Sequence, residues 1–253
     1  MKIVFHPAFY DSSYASDCAA APGRIEAIIP SLQQEKAFDF VRPEPAAEPD
    51  ILRCHDPAYY AEARNDAKRF DMAMLAAGAA SLAAEIGMTG EPAFAVIRPP
   101  GHHASYSSSW GYCTFCNMAV ALLKLKARNE INSAFILDFD AHTGDGTRDI
   151  LTPWKDCHIL NPYRETSAEY LQEINDFIRP IQQVDVVAIC AGFDSYEKDV
   201  GRKLTTFDFY QIGFLMKNFA KRASNGRRFA ILEGGYYLPD LGKNVLAFCQ
   251  GFS

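Results

Sequence analysis

The sequence predicts an α/β domain: a mostly parallel β-sheet flanked by helices on both faces. Two observations carry that reading. Short apolar runs at 94–97, 134–139, 184–190 and 229–232 alternate with longer amphipathic or alanine-rich stretches. Strands that are apolar along their whole length and separated by helices mark a parallel sheet buried on both sides. The second observation is size. A chain of 253 residues, 49% hydrophobic and 22% charged, suits one soluble domain whose core needs no disulfide staples. Residues 1–253 are therefore read as a single domain.

The elements follow in order. Residues 3–5 read as a first strand. Residues 24–36 have helical spacing, with Ile25, Ile28, Ile29 and Leu32 on one side. The Pro- and Glu-rich segment 42–50 reads as a loop. Helices are predicted at 57–69 and 71–86, the second rich in alanine, and a strand at 94–97. A helix at 117–127 leads to a strand at 134–139. The remaining elements are a strand at 184–190, a helix at 207–221, a strand at 229–232 and a closing helix at 240–248.

Net charge is −6. That argues against nucleic acid as the main partner, because phosphate binding needs a basic face, and it favours a cationic substrate by steering. The apolar run at the N-terminus is too short for a signal peptide. No stretch is read as the roughly 18 apolar residues of a membrane span, so a cytoplasmic protein with no membrane partner is expected. Seven cysteines, odd in number and irregular in spacing, argue for reduced thiols. Cys113-x-x-Cys116 lacks the second ligand pair of a zinc ribbon and reads as two small buried hydrophobes. Oligomeric state is left open.

Function is written at the strand ends, where open parallel sheets bind their ligands. Four inferred strands end in polar motifs. Arg98-Pro-Pro-Gly-His-His places His102 and His103 side by side, a source of acid–base chemistry near neutral pH. Asp138-Phe-Asp-Ala-His puts Asp138, Asp140 and His142 on one side by period-2 alternation. Asp140-x-His142 offers a carboxylate and an imidazole to one metal. Ala191-Gly-Phe-Asp194 supplies a third ligand. In Glu233-Gly-Gly-Tyr236, Gly234 and Gly235 let the backbone come close, and the tyrosine hydroxyl can donate to a developing oxyanion. Each motif has an ordinary reading alone: a histidine-bearing loop, a solvated turn, a helix cap, a glycine turn. Two carboxylates and one histidine leave a metal with open positions, as catalytic rather than structural sites do.

Together these stretches resemble the histone deacetylase and acetylpolyamine amidohydrolase family, within the arginase/deacetylase superfamily. Gly111-Tyr-Cys, His55-Asp-Pro-Ala-Tyr and Leu238-Pro-Asp-Leu-Gly-Lys-Asn-Val extend the resemblance over nearly the whole chain. The resemblance implies an arginase/deacetylase-like fold and a zinc-dependent hydrolase that removes an acetyl or acyl group from an amine, such as acetyl-lysine or an acetylpolyamine. Asp140, His142 and Asp194 would hold one Zn2+. His103 would be general base and acid, with Asp145 behind it, and His102 would hydrogen-bond Asp138. Tyr236 would donate to the oxyanion. Tyr112, with Gly111, Gly234 and Gly235, would line the acyl tunnel. A structural K+ would sit near the 138–142 turn.

The residues also test alternatives. Gly144 and Tyr196 stand where the two-manganese arginase pattern has bridging carboxylates, so a second metal lacks ligands. A hydrolase of another small-metabolite amide, or a metal-bearing module that binds acylated ligands without turnover, would share most of the motifs. Thr143 stands where the family usually has a second histidine, and Cys116 where an asparagine is common. The segments 158–167 and 63–70 are short, which predicts a more open mouth. Asp66 and Asp71 are the candidates for an acidic residue that grips substrate.

Overall fold

The computed structural model describes residues 1–253. Its strands are β1 (Lys2–Val4), β2 (Asp39–Val41), β3 (Ala93–Ala95), β4 (Ala134–Asp138), β5 (Cys157–Leu160), β6 (Val186–Ala191) and β7 (Arg228–Leu232). They form one sheet in the order β2-β1-β3-β7-β6-β4-β5, and every pairing is parallel. Strands β3, β4, β6 and β7 are buried at every position, which is why they read as unbroken apolar runs.

The helices are α1 (Arg24–Gln33), α2 (Glu48–Ile51), α3 (Pro57–Ala63), α4 (Ala67–Met88), α5 (Asn117–Ala127), α6 (Asp145–Leu151), α7 (Ser167–Ile178), α8 (Thr206–Ala223) and α9 (Leu238–Phe252). Helix α4 packs on β1, β3 and β7 and against α5. Helices α1, α9, α8 and α7 pack in a row, with α8 on β6. These two helical layers sandwich the sheet, the arrangement expected of an α/β domain.

The order of the central strands positions the site. The four strands whose ends carry the polar motifs, β3, β7, β6 and β4, are neighbours. Their register sets Ala95, Ile231, Cys190 and Asp138 in one row across the sheet, so the four motif loops leave from one level. Beneath them, Phe248 of α9 packs against Phe139 and Phe193 at centroid distances of 5.3 and 6.1 Å. Phe139 lies between Asp138 and Asp140, and Phe193 precedes Asp194. The core thus anchors the residues that flank the site.

Several expectations are corrected. The helix expected over 57–69 breaks at 64–66, where Asp66 accepts a hydrogen bond from the Arg69 amide at 3.2 Å and caps α4. Helix α1 ends at Gln33 rather than residue 36, and α9 runs longer than 240–248. Segment 42–50 holds the start of the short α2. Strands β2 and β5 went unseen because both are sheet edges with exposed positions and no apolar run. Helix α7 also went unseen. By length and composition α4 can cross a bilayer, contrary to the expectation that no stretch approaches a span; 72% of its apolar window is buried inside the fold.

Truncating Phe248 removes the ring that both flanking phenylalanines rest on. Phe248→Ala is expected to cost about 3–5 kcal/mol and to lower Tm by roughly 6–20 °C. Urea denaturation reads the effect, and a loss below about 1 kcal/mol would contradict tight packing here.

Candidate active site

The turn after β4 carries Asp140 and His142, and a short 3-10 turn after β6, Phe193–Ser195, carries Asp194. Their ligand atoms lie within 4.8 Å of one another, and no other group in the chain gathers metal-ligating atoms in this way. His142 Nδ1 is 3.0 Å from both Asp140 Oδ1 and Asp194 Oδ2. One N–H can serve only one of them. The hydrogen bond goes to Asp140 Oδ1, and Asp194 Oδ2 is left buried without a donor. The other carboxylate oxygens are tied to backbone amides: Asp140 Oδ2 accepts from Gly234 N at 2.9 Å and Asp194 Oδ1 from Ala141 N at 2.8 Å.

The electrostatics ask for a cation. The carboxylates of Asp140 and Asp194 beside its ring push His142 up to about 10. Burial, then the neighbouring Asp140, pushes Asp194 up to about 7. Both shifts express the same excess of buried negative charge, which a divalent ion would relieve. Ligands at about 2.0–2.2 Å from a tetrahedral zinc lie roughly 3.3–3.6 Å apart, within the 3.0 to 4.8 Å range over which these atoms gather. The donor set therefore fits one small divalent ion. A second is shut out: a Cβ at Gly144 would lie 2.1 Å from Asp138 Oδ2, and Tyr196 turns its hydroxyl to Asp240 at 3.1 Å.

The two histidines after β3 are buried with ring centroids 4.0 Å apart. His102 Nδ1 meets Asp138 Oδ2 at 3.0 Å, and His103 Nδ1 meets Asp145 Oδ1 at 2.6 Å. Their environments separate them. Burial alone would lower His102, but Asp140 and Asp138 outweigh it and hold the group well above the ordinary imidazole range. Burial first, then the charge on His102, holds His103 below that range, with Asp145 opposing. A paired imidazolium and neutral imidazole are suited to charge stabilisation and proton acceptance respectively.

A cavity of about 390 Å³ opens above these groups, lined among others by His102, His103, Gly111, Tyr112, Asp140, His142, Gly234 and Tyr236. Burial pushes the Tyr236 hydroxyl well above its usual range, so it stays protonated and able to donate. Gly111 and Tyr112 both sit at positive φ, 57° and 70°. A Cβ at Gly111 would come within 2.3 Å of His103 Cδ2, so only glycine lets this turn approach the imidazole. Tyr112 holds its conformation at a cost of order 1–3 kcal/mol, and its ring meets that of Tyr236 edge-on at 6.3 Å.

The structure thus brings together every expected site residue except Gly235. That glycine does not line the cavity. Its missing Cβ faces Leu241 and Phe193 in the core, and its carbonyl accepts from Arg24 Nε at 2.8 Å. A neighbouring groove of about 680 Å³ shares Trp110, Gly111 and Tyr112 with the cavity and carries Asp17, Glu62 and Asp66. Asp71 lies in a different groove, with His6 and Tyr14. No residue of 158–167 lines the cavity, consistent with a short loop there. Cys113 Sγ accepts from His103 N at 3.3 Å, and Cys116 Sγ pairs with Thr147 Oγ1 at 3.5 Å.

Four contributors were not foreseen. Glu233 Oε2 accepts from the amides of Gly101 and His102 at 2.7 and 3.2 Å. Arg24, fully buried, clamps the carbonyls of Glu233 and Gly235. Asp199 Oδ2 accepts from the amides of Tyr236 and Tyr237 at 2.6 and 2.7 Å. Trp110 caps His103. Glu233 had a signal, since a carboxylate closing an apolar strand is costly unless used. Arg24 opens an ordinary amphipathic helix and had none.

The histone deacetylase domain family matches residues 64–170 and 156–252. The chain belongs to the histone deacetylase family. Among its relatives is a probable deacetylase of Methanothermobacter thermautotrophicus, 25% identical over 302 aligned positions that cover 98% of this chain and 90% of the relative. A histone deacetylase-like amidohydrolase of Pseudomonas aeruginosa is 27% identical, covering 82% of this chain and 69% of the relative. The crystal structure of the HDA15 HD domain superposes with a TM-score of 0.88 over 99% of this chain and 90% of that one, at 21% identity, and so shares the fold. This histone deacetylase family member is accordingly a deacetylase, a hydrolase by class. The archaeal alignment is longer than the 253-residue chain, so the relatives carry insertions that this chain lacks.

Gly111→Ala is expected to leave the chain folded but to cut deacetylase turnover at least tenfold, because the new methyl displaces His103. Wild-type turnover in this variant would show that the turn can move without consequence.

Proposed function

We propose that the protein is a zinc-dependent deacylase acting on a cationic acylated amine, of the acetyl-lysine or acetylpolyamine type. The observation that carries this reading is the convergence, in one cavity, of an Asp–His–Asp cluster, a carboxylate-backed neutral imidazole and a protonated tyrosine. Asp140, His142 and Asp194 would hold the zinc, which when bound lowers the pKa of water and polarises a carbonyl. His103 takes the proton of the attacking water on Nε2, while Asp145 holds Nδ1–H. Tyr236 donates to the carbonyl oxygen as it becomes an oxyanion. His102, held charged by Asp138 and Asp140, adds positive potential beneath the same oxygen. His103 then returns its proton to the departing amine.

The acidic groove beside the cavity, with Asp17, Glu62 and Asp66, and the net charge of −6 support a substrate that is cationic near the scissile amide. Asn161 Oδ1, buried without a donor while its amide nitrogen reaches the Asp138 carbonyl at 3.3 Å, supports a K+ at the 138–142 turn. Seven free cysteines support a reducing compartment, the cytoplasm.

Release of free amine from acetyl-lysine peptides and acetylpolyamines tests the reading. His103→Ala is expected to lower kcat by about 10²–10⁴-fold and Tyr236→Phe by about 10²–10³-fold, with Tm nearly unchanged. Near-wild-type rates in either variant remove that residue from the mechanism. The pH profile is a separate check. A base whose pKa is depressed stays neutral into mildly acidic solution, so kcat/KM should hold at neutral pH and fall only below the ordinary imidazole value of about 6.5. An acidic limb above that value would contradict the environment described for His103.

A further inference from the structure

Trp110 is 54% exposed, yet its indole meets both members of the proton-handling pair. Its ring centroid lies 3.8 Å from that of His103, tilted by 31°. Its Nε1 donates to Asp145 Oδ2 at 2.8 Å, while Asp145 Oδ1 meets His103 Nδ1. We propose that Trp110 is a positioning residue that fixes the orientation and tautomer of His103 by gripping Asp145 and covering the imidazole.

The need for such a residue follows from exposure. The Asp145 side chain is 50% exposed, although its histidine partner is buried. Water competes for a carboxylate placed like this, and its side chain is free to turn. The one backbone amide that reaches it, Gly146 N at 3.0 Å, donates to the same Oδ1 that faces His103. Oδ2 therefore has one donor from the protein, the Trp110 indole. That bond stops the carboxylate from rotating Oδ1 away from Nδ1. The stacked ring supplies the second restraint, because an imidazole held by a single hydrogen bond can pivot about it unless its face is blocked. With both in place the proton stays on Nδ1, and Nε2 is presented bare to the cavity.

Trp110 is also joined to Gly111. The glycine at positive φ gives His103 room on one side, and the indole before it closes the other. The same indole stands between the cavity and the acidic groove, so it meets the substrate arm where it emerges. This inference rests on His103 being the general base.

The test uses the full-length, zinc-reconstituted protein. Trp110→Phe keeps the stacked ring and removes the N–H, whereas Trp110→Ala removes both; the site is exposed, so neither is expected to unfold the chain. On an acetyl-lysine peptide, Trp110→Phe is expected to lower kcat roughly tenfold with KM nearly unchanged, and Trp110→Ala to lower it further. In an Asp145→Asn background, Trp110→Phe should cost nothing more, because the two act as one unit. The His103 Nδ1 proton, read by NMR and assigned by its loss in Asp145→Asn, should be sharp in wild type and broadened in Trp110→Phe. Full activity with a sharp resonance in Trp110→Phe, or losses that multiply in the double variant, overturns the proposal. If wild type hydrolyses no acyl-amine, the general-base reading fails, and the proton resonance still reports whether Trp110 orders the pair.

Discussion

Four carboxylates, Asp138, Asp140, Asp194 and Glu233, are buried at the ends of three adjacent parallel strands, β4, β6 and β7, and the rest of the site depends on how that charge is held. Glu233, Asp140 and Asp194 each accept from the backbone of a different loop or turn. Glu233, after β7, accepts from the amides after β3. Asp140, after β4, accepts from the amide after β7. Asp194, after β6, accepts from the amide after β4. Buried carboxylates are tolerable only with such partners, and here the partners cross-brace the loops. The charge that threatens the fold also ties its active end together.

The bracing leaves a specific remainder. One imidazole N–H stands between Asp140 and Asp194, and the buried Oδ2 of Asp194 has no donor. A divalent cation would relieve that buried charge. Around it Asp140 and Asp138 raise His102, while burial and the charge on His102 lower His103, so one fold end provides both a fixed positive charge and a proton acceptor. Glycine recurs where these groups crowd: a Cβ at Gly234 would lie 2.6 Å from Asp140 Oδ2.

Much of this was legible in the sequence because central strands and polar strand ends are extreme signals. An apolar run such as 134–137 has one comfortable place, inside a parallel sheet, and a carboxylate at its end has few structural uses. The edge strands β2 and β5 lacked that contrast. Helix α7 carried its own mark, Thr166 capping the Glu169 amide and Tyr170, Ile174 and Ile178 at four-residue spacing. Arg24, Asp199 and Trp110 were beyond reach for a different reason. Their roles come from contacts made across 211, 37 and 35 positions of chain, and nothing local to them announces a site. Gly235 was misplaced because a glycine pair reads alike whether it faces a cavity or the core.

The most direct measurement is the metal content of the purified protein, combined with X-ray absorption at the metal edge. One zinc per chain with nitrogen and oxygen neighbours at about 2.0–2.2 Å, lost in Asp194→Asn while the fold persists, is the expected result. Sulfur neighbours, two ions per chain, or full metal retention in Asp194→Asn would contradict the Asp140–His142–Asp194 site and the chemistry built on it.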